Sequence, residues 1–137
     1  MSKLLIDRRT EKVFLICPVR LATEETKKKL EEYVELLEGH GIKVHLPHRD
    51  TNQDNTGLGI CTENMRAIQN ADEVHIFYNA ESQGIHFDMG VAFALRKPIK
   101  CVELPEGDSD AYVNKPGKKE FPRMLVEWET YRNAIVL

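Results

Sequence analysis

A hydroxyl, a glycine and a carboxylate lie close together in the segment SQGIHFDMG, at Ser82, Gly84 and Asp88. A carboxylate can attack an electrophilic sugar carbon or stabilise a cationic transition state, which are the tasks of glycosidic chemistry. A hydroxyl beside the free amides of a helix N-terminus can hold a phosphate or a carboxylate. Simpler roles are also open: Asp88 could complement the helix dipole on a solvated face, and Ser82 could be only a helix cap.

Two other polar groups are predicted at the same edge of the molecule. Arg20 follows the apolar run VFLIC and could offer a fork of donors to a phosphate, or it could be an ordinary surface arginine. His48, Arg49 and Asp50 follow the second predicted strand and could contact a base or a sugar, although a polar loop would contain such residues anyway. Because ligands of open α/β sheets bind beyond the carboxyl ends of the strands, we expect these loops to meet.

The elements around Asp88 form one βαβ unit. Residues 73–78 (EVHIFY) are β-branched and aromatic, as in a buried strand, and the polar segment 79–83 ends it. A helix then begins at Gly84 and ends before Lys97-Pro98, and the strand IKCVEL follows. The spacing predicts that one side of this helix packs inward, namely Ile85, Met89, Ala92 and Phe93.

The rest of the chain continues the alternation of strands and helices. Strands are predicted at 13–17 and 42–46, with a helix between them that Thr23 caps and Gly39 ends. Segment 47–59 is rich in turn formers, so it is predicted to be a surface loop or a lid. A helix at about 61–70 should turn Met65 and Ile68 inward. A polar excursion from residue 105 precedes a last helix, which starts at Phe121-Pro122 and uses Met124, Leu125, Trp128 and Tyr131 for apolar contacts.

This order, β-α-β-α-β-α-β-α, predicts an α/β fold: a three-layer doubly wound, flavodoxin- or Rossmann-like, mainly parallel sheet.

A net charge of -3 over 137 residues gives no indication of a nucleic-acid or membrane partner. The chain has no long apolar run, so a cytoplasmic location is expected. Cys17, Cys61 and Cys101 are expected to be reduced thiols. No metal-ligand spacing, dinucleotide fingerprint or P-loop occurs, so no metal or cofactor is predicted.

The segments FLICPVR, NMRAIQNADEVHIF and SQGIHFDMGVAFALRKPI resemble the nucleoside 2-deoxyribosyltransferase superfamily, and within it the nucleoside 5'-monophosphate N-glycosidases. The resemblance covers nearly the whole chain, so residues 1–137 are expected to form one domain of this type. It implies that Asp88 corresponds to the catalytic glutamate that attacks C1' of the sugar. It also implies that Ser82 and Arg20 match a serine and an arginine that hold the phosphate, and that the chain forms a homodimer or a larger homo-oligomer.

The sequence departs from the family pattern at four positions near the expected site. Asp88 is shorter than the family glutamate, Asn64 replaces an aspartate, His86 replaces a small residue beside the substrate, and Pro122 replaces a Ser or Asn that reaches into a neighbouring subunit.

Two functional hypotheses follow from the resemblance and these departures. In the first, the chain is an N-glycosyl transferase or hydrolase of a nucleoside or nucleoside 5'-monophosphate, with Asp88 as the nucleophile. Arg20, Ser82 and Gly84 would then bind the phosphate, while Asn64, His48, Asp50 and His86 would adjoin base and sugar. In the second, it is a non-catalytic module that binds or senses a nucleotide. A flavodoxin-like binder of another small molecule is a third, weaker interpretation.

Overall fold

The computed structural model describes residues 9–105 and 120–131 of the chain. Its centre is a parallel sheet with the strand order β2-β1-β3-β4. The strands are β1 (Lys12–Ile16), β2 (Lys43–His45), β3 (Glu73–Phe77) and β4 (Ile99–Glu103). The helices of the described part of the chain are α1 (Glu24–Gly39), α2 (Pro47–Asp50), α3 (Gly57–Asn70), α4 (Gln83–Ala94) and α5 (Phe121–Tyr131).

Helices cover both faces of the sheet. On one face, α1 packs Leu30, Val34 and Leu37 against β1 and β2. On the other face, α3, α4 and α5 contribute to a second apolar core, through Ile68, Ile85, Met89, Ala92, Leu125 and Trp128. Two cores separated by a parallel sheet form a three-layer doubly wound fold, which confirms the predicted fold class.

The central strand β1 serves both cores. Phe14 and Ile16 point into the core under α3 and α4, whereas Val13 and Leu15 point into the core under α1. Successive side chains of a strand alternate between its faces, so a strand buried on both faces must be apolar throughout. The continuous apolar run in the sequence therefore predicted the position of β1 correctly.

The segment after Pro47 is more regular than predicted. Pro47–Asp50 forms the short helix α2, and α3 begins at Gly57 rather than near Cys61. The side chain of Thr56 caps α3, because its Oγ1 accepts the N–H of Gly59 at 3.1 Å. Two glycines in the first turn have low helix propensity, and they made this turn resemble a loop in the sequence.

The inward faces of the helices are mostly as predicted, with three exceptions. Met65 is 39% exposed, and Asn64 takes the inward position on α3 instead. Phe93 is 49% exposed and lies edge-on against Trp128, with the ring centroids 5.1 Å apart. Tyr131 is also exposed, at the end of α5. The remaining predicted inward residues are buried or partly buried: Ile68, Ile85, Met89, Ala92, Met124, Leu125 and Trp128.

The remaining predictions can be compared with the structure only over the described residues. The polar excursion predicted from residue 105 lies almost wholly outside the described residues. Cys17, Cys61 and Cys101 are free thiols. Within 9–105 and 120–131, no helix is both long enough and apolar enough to cross a bilayer. In the same residues, no group of three or more His, Cys, Asp or Glu side chains is arranged to hold a metal ion.

Candidate active site

A cavity of about 410 Å³ lies beyond the carboxyl ends of β1 and β3. The loop after β1 supplies one wall, the loop after β3 and the start of α4 supply the opposite wall, and α3 closes the side. The structure brings five of the predicted site residues to this cavity: Arg20, Asn64, Ser82, Gly84 and Asp88. Asp88 and Arg20 therefore face the same space, as the order of the elements predicted.

Asp88 is a buried carboxyl group on α4. It is 6% exposed, and Asn64 Nδ2 donates a hydrogen bond to its Oδ2 at 3.4 Å. Burial raises the pKa of Asp88 to about 7, and the bond from Asn64 opposes this rise. The solvated position considered from the sequence is therefore wrong. The helix dipole also has little effect on Asp88, because α4 begins at Gln83 and Asp88 lies beyond its first turn.

Ser82 and the first turn of α4 form a site with free donors. Ser82 is the N-cap of α4, and its Oγ accepts the N–H of Ile85 at 3.2 Å. A hydroxyl has one proton and two lone pairs, so capping leaves the O–H of Ser82 free to donate into the cavity. The N–H groups of Gln83 and Gly84 have no acceptor within the helix. A Cβ on Gly84 would come no nearer to its surroundings than 4.0 Å, from Ser82 Oγ, so the space in front of this turn is open.

Arg20 lies on the loop between β1 and α1 and is exposed at the cavity wall. Within the described part of the chain, no carboxylate forms a salt bridge with it. A guanidinium has five donors in a planar fork that matches two oxygens of a phosphate. Together with Ser82 and the amides of α4, Arg20 gives the cavity a set of donors suited to a phosphate or another oxyanion.

His48, Asp50 and His86 do not line this cavity. Asp50 Oδ2 accepts the N–H of Leu46, and both of its oxygens accept from Arg49. His48 is on the exposed side of α2. The roles predicted for these three residues at a base or sugar gain no support from their positions.

His86 has hydrogen-bond partners at both of its ring nitrogens. Nδ1 lies 2.7 Å from the carbonyl oxygen of Ser82, and Nε2 lies 3.0 Å from the hydroxyl of Tyr78. A carbonyl can only accept, so Nδ1 is the donor in its bond to Ser82. The ring also packs edge-on against Phe121.

The cavity also includes residues that the sequence did not single out one by one. Cys17, directly after β1, faces the cavity, and burial together with the charge of Asp88 raises the pKa of its thiol to about 12. It is therefore a thiol rather than a nucleophilic thiolate at neutral pH. Pro47, Gln53, Ile60 and Glu81 form much of the rest of the wall. The sequence indicated the segments that contain Pro47, Gln53 and Glu81, with 47–59 as a surface loop or lid and 79–83 as a polar loop at the strand end, but not which of their side chains face the cavity.

Comparison with known proteins finds a family model that matches most of the chain and a solved structure that is similar to it. The family model described as nucleoside 2-deoxyribosyltransferase matches residues 13–120. Among solved structures, the CMP N-glycosidase BcmB of Clostridium botulinum is similar at 25% identity, over 66% of this chain and 70% of that chain, with a TM-score of 0.53. No curated protein sequence gives a match. The family match spans the entire cavity, whose lining residues run from Cys17 to Asp88.

Proposed function

The chain belongs to the nucleoside 2-deoxyribosyltransferase family, and we propose that it cleaves the bond between base and sugar in a nucleoside 5'-monophosphate. The observation that carries this proposal is one cavity with a buried carboxyl, Asp88, and a cluster of oxyanion donors around Arg20 and Ser82. A sugar between these groups would present C1' to Asp88 and its phosphate to the donors. Similarity to a CMP N-glycosidase supports a nucleotide substrate, which also suits the cytoplasmic location that the sequence predicts.

The chemistry proposed for Asp88 is a double displacement. In the first step, a carboxylate oxygen of Asp88 bonds to C1' while the bond from C1' to the base nitrogen breaks, and the base leaves with the electron pair and takes up a proton. In the second step, the oxygen of water or a nitrogen of another base attacks C1' and loses a proton to solvent, which balances the proton taken up by the leaving base, while the bond from C1' to the carboxylate breaks. Two inversions at C1' give net retention of configuration. Only the ionised form can attack, so a pKa of about 7 makes the rate rise as pH approaches neutrality.

Arg20 is proposed to select phosphorylated substrates. We expect Arg20→Ala to lower kcat/KM for a nucleoside 5'-monophosphate by about 10- to 100-fold, since a charge-assisted hydrogen bond contributes roughly 1.5–3 kcal/mol. The value for the unphosphorylated nucleoside should be nearly unchanged. Steady-state kinetics on the two substrates measures both effects.

Arg20→Lys is the matched control for this prediction. It keeps the positive charge but loses the planar fork, so it should recover only part of the selectivity. An equal loss of kcat/KM on both substrates in Arg20→Ala would contradict the phosphate role, because the arginine would then act on a part that the two substrates share.

A panel of ribo- and deoxyribonucleosides and their 5'-monophosphates tests the proposed activity. Each compound is incubated with the protein, and free base is measured by chromatography, with Asp88→Ala as the control. Release of base from a 5'-monophosphate, absent in the variant, supports the proposal. If no member of the panel yields free base, the proposal fails.

A binding module without catalysis is the second candidate. Two features favour it: the carboxyl group of Asp88 is one methylene shorter than the glutamate that the resemblance implies, and burial raises the pKa of Asp88 to about 7, so the ionised form is less populated than for an exposed carboxyl. A binding module would be stabilised thermally by a nucleotide without releasing base. Thermal melting in the presence of each panel member, together with the base assay, distinguishes the two functions.

Self-association is part of the proposal, because several large apolar side chains on the neighbouring helices α3 and α4 are exposed. Leu58 is 80% exposed, Phe87 47% and Met65 39%. We expect sedimentation at micromolar concentration to give a dimer or a larger species, and Leu58→Glu with Phe87→Glu to shift it toward the monomer. Leu36→Glu, at a 43% exposed site on α1, is the matched control and should leave the assembly intact. A monomeric native protein would contradict this expectation.

A further inference from the structure

A chain of hydrogen bonds runs from the edge strand β2 to the candidate nucleophile. His45 Nε2 lies 2.8 Å from Thr51 Oγ1. Thr51 Oγ1 donates to Asn64 Oδ1 at 2.7 Å, and Asn64 Nδ2 donates to Asp88 Oδ2 at 3.4 Å. Thr51, Asn64 and Asp88 are 4%, 7% and 6% exposed, so water competes little for these bonds.

The direction of every bond in this chain follows from the number of protons available. Asp88, when ionised, can only accept, so Asn64 must turn its NH₂ toward it and its carbonyl toward Thr51. Thr51 has one hydroxyl proton and gives it to Asn64. Thr51 must therefore accept at its other side, and His45 is the donor, with its proton on Nε2. All the donors point toward Asp88.

His45 is held in place for this role by its own surroundings. Its ring stacks on Phe14, with the centroids 5.2 Å apart and the planes 13° from parallel. Burial lowers the pKa of His45, which favours the neutral ring at neutral pH; Asp50 and Glu63 oppose this change and Arg49 adds to it. In the tautomer with its proton on Nε2, the stacked ring presents this N–H to Thr51.

We propose that Thr51 is a positioning residue for the reaction at Asp88: it locks the Asn64 amide with its NH₂ toward the carboxylate, and His45 orients Thr51. This inference rests on the proposed function, and it adds two residues that do not touch the cavity. Without the Thr51 hydroxyl as a partner, the side-chain amide of Asn64 can rotate by 180° and present its carbonyl oxygen to Asp88. That oxygen repels a carboxylate, so the protonated form of Asp88 would be favoured.

The groups that face Asp88 come from several elements. Asn64 approaches from α3, the thiol of Cys17 lies after β1, and Arg20 and Glu81 stand on the cavity walls. Only Asn64 is within hydrogen-bond distance of the carboxyl among the described residues. The orientation of one amide should therefore have a measurable effect on the ionisation of Asp88.

The test compares Thr51→Val, which removes the hydroxyl at nearly constant volume, with Thr51→Ser, which keeps it. The titration of the Asp88 carboxyl carbon is followed by ¹³C NMR in the intact protein without substrate. We expect Thr51→Val to raise the midpoint by about one pH unit and Thr51→Ser to leave it near the native value. The acidic limb of the pH profile of base release should move by the same amount, giving about tenfold slower release at pH 6 in Thr51→Val.

The outcome separates this inference from the proposed function. Equal midpoints in the native protein and Thr51→Val, or equal shifts in Thr51→Val and Thr51→Ser, would overturn the positioning role. The NMR titration decides this even if no substrate is cleaved, in which case only the proposed function fails. If Thr51→Val does not fold, Thr51→Ala replaces it in the same comparison with Thr51→Ser.

Discussion

Replacing Asp88 with alanine is expected to lower base release by on the order of 10⁴-fold or more, because the group that bonds to C1' is lost. Binding should change little, since the donors around Arg20 and Ser82 remain. Base release is measured by chromatography on the best substrate of the panel, and binding by thermal melting with the same nucleotide. Loss of release with retained binding is the result that the mechanism predicts.

Two further variants at the same position separate the loss of the nucleophile from the loss of side-chain volume. Asp88→Asn keeps the shape but cannot attack, so its activity should be as low as that of the alanine variant. Asp88→Glu extends the carboxylate by about 1 Å, toward the length of the glutamate that the resemblance implies, and a displacement of that size can change the rate by about a hundredfold. We expect it to retain or raise release. Native-like activity in Asp88→Asn would exclude Asp88 as the nucleophile.

The second large effect is on stability: Asp88→Asn should stabilise the folded protein at pH 8 by up to about 4 kcal/mol. The pKa of Asp88 is about 7 in the folded chain, against 3.8 for an unburied carboxyl. The folded state therefore holds a proton that the unfolded state has lost between these values. The contribution of Asp88 to stability is complete below about pH 4 and falls as pH rises through 7. Asparagine has no charge to bury, so the advantage of the variant should be absent near pH 4.

Denaturant unfolding at several pH values measures this difference, and Asp72→Asn is a control of opposite sign. Asp72 Oδ2 accepts the N–H groups of Glu11 and Lys12 at 2.9 and 3.0 Å, and these bonds lower its pKa. Its stabilisation is present above the usual carboxyl pKa and is lost as pH falls. Asp72→Asn should therefore be destabilised at neutral pH, with the difference shrinking in acid. A stability difference for Asp88→Asn that does not vary with pH would contradict the buried ionisation.

The fold could be predicted from the sequence because its signals are local. The run VFLIC had to be a strand buried on both faces, and the stripe Ile85, Met89 and Ala92 fixed the inward side of α4. The raised pKa of Asp88 comes from its burial, which the position of Asp88 along α4 does not reveal in the sequence. The burial of a polar side chain depends on which elements pack over it, and local sequence patterns do not give that information.

The candidate site was only partly predictable, because topology brings loops together without fixing the direction of their side chains. Arg20 and Ser82 lie in the loops after β1 and β3, and they do line the cavity. Asp50 and His86 also lie close to strand ends, but local hydrogen bonds turn them elsewhere. The chain from His45 to Asp88 joins three elements and depends on α2 bringing Thr51 to Asn64. Such a contact arises from tertiary packing and leaves no periodic signal.

A crystal structure of Asp88→Asn with a nucleoside 5'-monophosphate would decide whether the carboxyl and the oxyanion donors serve one substrate. We expect the nucleotide to occupy the cavity, with C1' within about 3.5 Å of the side chain at position 88, close to the reach needed for attack. Its phosphate should accept from Arg20, Ser82 and the amides of Gln83 and Gly84. A nucleotide bound outside this cavity, or bound inside it with the phosphate away from Arg20 and C1' out of reach of position 88, would contradict the proposed mechanism.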